Sequence, residues 1–156
     1  PQHIELGVMV ETPAAALQAD LLAEEVDFLS IGTNDLAQYT GAADRTNASV
    51  AVLASAFQPA VLRLIQATVQ AAHARRRRVS LCGELAAEPL AIPLLLGLGL
   101  DELSVSPPAV AVTKELVRAL TLVESQALAR LAINCESADA VHDLIRARTP
   151  VAADVA

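Results

Sequence analysis

The sequence has almost no aromatic residues: two Phe, one Tyr and no Trp in 156 residues. Large rings therefore cannot fill its core, which must be built from Ala, Leu and Val. Hydrophobic residues make up 54% of the chain, against roughly 45–50% in average globular proteins. That excess suits helices packed on a buried sheet, and it predicts apolar surface left over for a partner. Basic residues are also few. Eleven Lys and Arg face 18 Asp and Glu, a net charge of −7, which argues against nucleic acid or an anionic membrane as partner. The run Arg75-Arg76-Arg77-Arg78 is the exception and reads as a solvated helix end.

Cysteine is scarce too. Cys82 and Cys135 lie far apart with no CxxC spacing, and His3, His73 and His142 are scattered, so no zinc site is expected. No signal or transit sequence is recognisable, and no run of 18 apolar residues occurs; "AIPLLLGLGL" comes nearest and stops at Asp101. A reducing cytoplasm is the expected setting. The length suits one domain with a real core. The chain opens on Pro1 and its single methionine is Met9, so a fragment or processed piece is expected.

What is present is a regular alternation. Ile4–Glu11 reads as a strand, Thr12 as an N-cap with Pro13 in the first turn, and Ala14–Glu25 as a helix. Its buried stripe is predicted at Leu17, Leu21, Leu22 and Val26. Val26–Gly32 is a second strand, followed by a long polar loop with a short helix near Val50–Ser55 and a helix from Pro59 to about Arg75. Arg78–Gly83 is a third strand, Glu88–Leu98 a helix, and Glu102–Ser106 a fourth strand stopped by Pro107-Pro108. Helices then fill Val110–Leu120, Val123–Ile133 and Ser137–Arg148. This spacing predicts βαβ units and a parallel sheet, an α/β fold.

Each strand ends on chemically useful residues: Glu11, then Asn34 and Asp35, then Cys82 and Glu84, then Ser104 and Ser106. Parallel α/β folds bind ligands outside the carboxyl ends of their strands. The four arginines precede a strand and so fall on the opposite face. Glu11 and Asp35 suit Mg²⁺ completed by phosphate oxygens; equally, Glu11 could cap a helix and Asp35 make an Asx turn. Asn34 could donate to a phosphoryl oxygen and Arg45 clamp one, or both could sit on an ordinary loop with Asp44 paired to Arg45. Cys82 reads either as packing or as an acid–base or nucleophilic group at the rim. Cys135 reads as structural.

Taken together, "GVMVETPAA", "VDFLSIGTNDLAQYT", the Asp44-Arg45 pair, "LCGELA" and "LGLGLDELSVSP" resemble the PEP-utilising enzymes. The resemblance is strongest to the C-terminal, PEP-binding domain of enzyme I, the phosphoenolpyruvate–protein phosphotransferase of the bacterial sugar phosphotransferase system. It runs from about Gly7 to Leu120 and extends to the helical tail. It implies the C-terminal half of a TIM (β/α)₈ barrel, about four βα units in residues 1–120, a helical extension over 121–150 and a tail at 151–156. It also implies Glu11 and Asp35 as Mg²⁺ ligands, Asn34 and Arg45 on the phosphoryl group, and Cys82 as the acid. The implied reaction moves the phosphoryl group of phosphoenolpyruvate (PEP) to a histidine on an N-terminal domain, and Cys82 protonates the enolate to pyruvate. Through that domain, the implied partner is the histidine-containing phosphocarrier protein.

A thiol suits that role because it is small and has a proton to give at neutral pH. None of His3, His73 or His142 sits in a phosphohistidine motif, and the arginines around the PEP carboxylate are missing. The chain alone is therefore expected to be inactive. Pyruvate phosphate dikinase or PEP synthase is an alternative with the same barrel, although Gly83-Glu84-Leu85-Ala86 after the cysteine favours enzyme I. A non-catalytic half-barrel module is another. Open sheet edges predict a homo-oligomer, a dimer first.

Overall fold

A computed structural model describes residues 4–149; His3 and the 151–156 tail lie outside the described residues. Four strands, β1 (Gly7–Val10), β2 (Phe28–Gly32), β3 (Arg78–Cys82) and β4 (Glu102–Leu103), form one sheet in the order β1-β2-β3-β4. Every pairing is parallel, with Val10 opposite Ile31 and Gly32 opposite Cys82. Between and after them lie α1 (Pro13–Leu17), α2 (Ala19–Glu25), α3 (Thr33–Gly41), α4 (Pro59–Ala74), α5 (Ile92–Leu98), α6 (Val110–Ala119), α7 (Leu122–Ala132) and α8 (Ala138–Arg148).

Side chains alternate across the sheet. Val10, Leu29, Ile31, Val79 and Leu81 are buried against the helices, each worth about 1.5–3 kcal/mol of transfer free energy. On the other face Met9, Ser30, Ser80 and Glu102 stand in register, and no helix covers them among the described residues. Steady progression of parallel strands in one direction has this result, because right-handed crossovers put every connecting helix on one side.

Several sequence expectations need correction. Thr33–Gly41 is a helix, not a polar loop. Leu36 and Ala37 bury one side of it, Asp35 sits in its first turn where the helix dipole favours acid, and Ala42 closes it in a left-handed conformation at φ 48°. The first helix breaks at Gln18 into α1 and α2. Its buried face is Ala16, Ala19 and Ala23, whereas Leu17 and Leu21 are 71% and 56% exposed; small residues let α1 and α2 sit closely on α4. α5 begins only at Ile92, after a 3₁₀ turn over Glu84–Ala87, and β4 is two residues long.

The stretch Ala51–Ala74 is long and apolar enough, by length and composition, to cross a membrane. It is not one helix here: a 3₁₀ turn at Ala51–Ala54 and a bend precede α4. Val61, Leu62, Ile65 and Val69 of α4 are buried in the core. α7 and α8 add Leu128, Ala132, Val141 and Ile145 to that core, capped by Thr121 and Ser137. The arginine run lies at the amino end of β3 and is engaged there. Arg75 meets Glu24 at 2.6 Å, Arg78 meets Glu5 at 2.8 Å, and Arg77 Nε donates to the Ala23 carbonyl at 3.1 Å.

Candidate active site

At the carboxyl ends of the strands, Glu11 follows β1 and Thr33, Asn34 and Asp35 form the first turn of α3 directly after β2. Thr12, rather than Glu11, caps α1: its hydroxyl accepts from the Ala15 N–H at 3.2 Å. Asp35 is in helix and makes no Asx turn. Both carboxylates are therefore spared those local duties. Gly32 leaves space for Glu11, since a Cβ there would lie 3.2 Å from Glu11 Oε2 and 3.0 Å from Met9 Sδ.

Asn34 is oriented by the neighbouring strand end. Its Oδ1 accepts from the Glu84 N–H at 3.3 Å, which leaves the Nδ2 hydrogens for a ligand. Arg45 lies beyond α3, with its backbone N–H on Gln38 Oε1 at 3.2 Å. Its guanidinium makes no ion pair among the described residues. Asp44 is occupied elsewhere, accepting from the Thr46 N–H at 2.8 Å and the Thr46 hydroxyl at 2.7 Å. Those two bonds, the hydroxyl's first, hold the Asp44 carboxyl below the usual carboxylate range, with a smaller pull from Arg45. Of the two readings, the one with Asp44 paired to Arg45 finds no such ion pair among the described residues.

Asn34 and Arg45 converge on one cleft of about 300 Å³ that also takes in Thr33, Ser55, Glu84 and Glu88. Asn34 opens as well onto a second hollow of about 490 Å³, with Gly83, Glu84, Ser104 and Ser106 along its edge. Glu11, Asp35 and Cys82 stand at the same strand ends but do not line either cleft. A hollow of about 460 Å³ among the C-terminal helices, around Ser125 and Leu128, shares no residue with the rim.

Cys82 ends β3 on the open face of the sheet. Its Sγ lies 3.5 Å from the Ile31 carbonyl oxygen, 3.7 Å from Met9 Sδ and 4.0 Å from Ser30 Oγ. It is half-buried, and so is Cys135, which packs against the core and whose Sγ donates to the Leu131 carbonyl at 3.7 Å.

Two further residues shape the rim and have no signature in the sequence. The Thr33 hydroxyl donates to the Cys82 carbonyl at 2.9 Å. Gly83 adopts φ +101°, and a Cβ there would lie 2.5 Å from Thr33 Oγ1. Only the glycine itself, between a strand and an acidic residue, hints at a special backbone.

Among the described residues no three His, Cys, Asp or Glu side chains cluster to hold a metal. Two carboxylates with open positions are nonetheless the donor set Mg²⁺ accepts when phosphate oxygens and water complete it.

A singly wound parallel sheet with carboxylates, an amide and a thiol at its carboxyl rim defines a ligand-binding α/β domain. Residues 1–122 match the family described as "PEP-utilising enzyme, PEP-binding domain", and the chain belongs to it. Among its relatives are proteins named phosphoenolpyruvate-protein phosphotransferase. That of Staphylococcus carnosus is 47% identical over 146 residues, 94% of this chain and 26% of that protein. The Listeria monocytogenes protein matches to the same extent, and that of Staphylococcus aureus is 46% identical over 142 residues, 91% of this chain and 25% of that protein. The chain thus spans about a quarter of the length of these relatives.

Proposed function

We propose that this chain is the PEP-binding part of a phosphoenolpyruvate–protein phosphotransferase. The observation that carries the reading is the convergence of Asn34 and Arg45 on one cleft at the strand rim, with no partner for Nδ2 and no ion pair for the guanidinium among the described residues. Family membership and the names of the relatives support it. Glu11 and Asp35 would hold Mg²⁺, which supplies charge neutralisation for the transferring phosphoryl group. Asn34 and Arg45 grip and orient the phosphoryl oxygens, the larger part of catalysis in this chemistry.

The acceptor is a histidine on a separate N-terminal domain, which passes the group to a histidine-containing phosphocarrier protein for sugar uptake. As the bond from phosphorus to the enol oxygen breaks, the enolate of pyruvate remains. Cys82 then gives its thiol proton to the methylene carbon: the S–H bond breaks and leaves its pair on sulfur, the C=C pair of the enolate forms the C–H bond, and an oxygen lone pair closes the C=O of pyruvate. Water returns the proton to sulfur.

The four strands are proposed to be half of a (β/α)₈ barrel, with the open face turned inward and the protein working in the cytoplasm. Because this stretch lacks the acceptor histidine, it is inactive by itself. In the full-length protein, Glu11→Gln and Asp35→Asn are expected to abolish PEP-dependent phosphorylation with melting temperature nearly unchanged. Cys82→Ala should block pyruvate formation far more than PEP binding. Normal turnover in these variants would refute the assignment.

A further inference from the structure

The rim contains a buried hydroxyl that the chemistry above does not use. Thr33 is 0% exposed, yet its Oγ1 reaches from the first turn of α3 to the carbonyl of Cys82 at 2.9 Å. One residue on, Asn34 accepts from the N–H of Glu84 at 3.3 Å. Gly83 lies between these two bonds, with no room for a side chain beside Thr33. We propose that Thr33 is a positioning residue: it fastens the end of β3, which carries Cys82, to the end of α3, which carries Asn34 and Asp35. The proton donor and the phosphoryl-binding groups are then parts of one rigid frame.

The sulfur needs such a frame. Its own contacts, with the Ile31 carbonyl, Met9 Sδ and Ser30 Oγ at 3.5–4.0 Å, orient the thiol against β1 and β2, and the main chain of Cys82 fixes where the side chain starts. Protonation of a carbon demands placement within about half an ångström. The consequence for catalysis rests on the proposed function; the fastening itself does not, and the two are read by different measurements.

Thr33→Val keeps the shape and removes the hydroxyl, whereas Thr33→Ser keeps the hydroxyl. In the full-length protein, amide hydrogen exchange at Glu84 should speed about tenfold in Thr33→Val and stay near wild type in Thr33→Ser. The Thr149 N–H, bonded to the Ile145 carbonyl at 2.7 Å, is the remote control and should not change. If Thr33→Val does not fold, Thr33→Ala makes the same comparison with less bulk. Unchanged exchange at Glu84, or a Ser variant that exchanges as fast as Val, would overturn the fastening.

In kinetics, Thr33→Val should lower kcat for pyruvate formation about tenfold, leave KM for PEP within about twofold, and be rescued by Thr33→Ser. Faster exchange with normal kcat would overturn the link to Cys82. A wild-type protein that forms no pyruvate from PEP would refute the proposed function and leave the exchange result to decide on the fastening.

Discussion

Replacing Gly83 with alanine would put a Cβ 2.5 Å from Thr33 Oγ1 and 3.0 Å from Asn34 Oδ1. Two costs add. The backbone stands at φ 101°, ψ −178°, a region essentially reserved for glycine, where another residue costs about 1–3 kcal/mol. The methyl also forces Thr33 off the Cys82 carbonyl and leaves the buried Thr33 hydroxyl without its partner, about 1–3 kcal/mol more. The expected loss is therefore about 2–6 kcal/mol, a large share of the roughly 5–15 kcal/mol that holds a domain together. Gly99→Ala is the internal control. Gly99 also has positive φ, 91°, but its nearest neighbour would be Val69 Cγ1 at an ordinary 3.4 Å, so strain alone applies, about 1 kcal/mol. Urea denaturation of both variants measures the difference through the midpoint at constant m-value. A Gly83→Ala protein no less stable than Gly99→Ala would refute the account of the rim.

Three other outcomes are expected. Thr46→Ala should raise the Asp44 titration towards the ordinary carboxylate range, read by NMR. Because the folded carboxyl is held low, its contribution to loop order is present above the unfolded value and fades as pH falls through the folded one; an unmoved titration would discount the Thr46 hydroxyl bond. Ala19→Leu should destabilise by about 1–3 kcal/mol through overpacking, while Leu17→Gln should change stability by less than about 0.5 kcal/mol; the reverse order in thermal melts would restore the Leu17 stripe as the buried face. The uncovered face around Met9 and Ser30 and the two open sheet edges predict self-association of this chain, a dimer first, and a stable monomer by light scattering at low micromolar concentration would show those surfaces need no partner.

Local chemistry alone was enough to place the four strands and most of the helices. β-branched and aliphatic runs bounded by Gly and Pro identify parallel strands, and Thr12-Pro13 and Ser137 mark helix starts, because caps and strand patterns depend on neighbours in the chain. The rim order of Glu11, Asn34, Asp35 and Cys82 follows from the same alternation, since in βαβ units every strand's carboxyl end points the same way. Tertiary structure decided the rest. Thr33–Gly41 is a helix because Leu36 and Ala37 find a core to enter, and α1 and α2 turn Ala16, Ala19 and Ala23 inward where they pack on α4. Whether Arg45 pairs with Asp44 or faces a cleft with Asn34 was settled by the Thr46 turn. Thr33 lies some fifty residues before Cys82 and Gly83 in sequence, so no local pattern could announce a contact that exists only once β2 and β3 have paired.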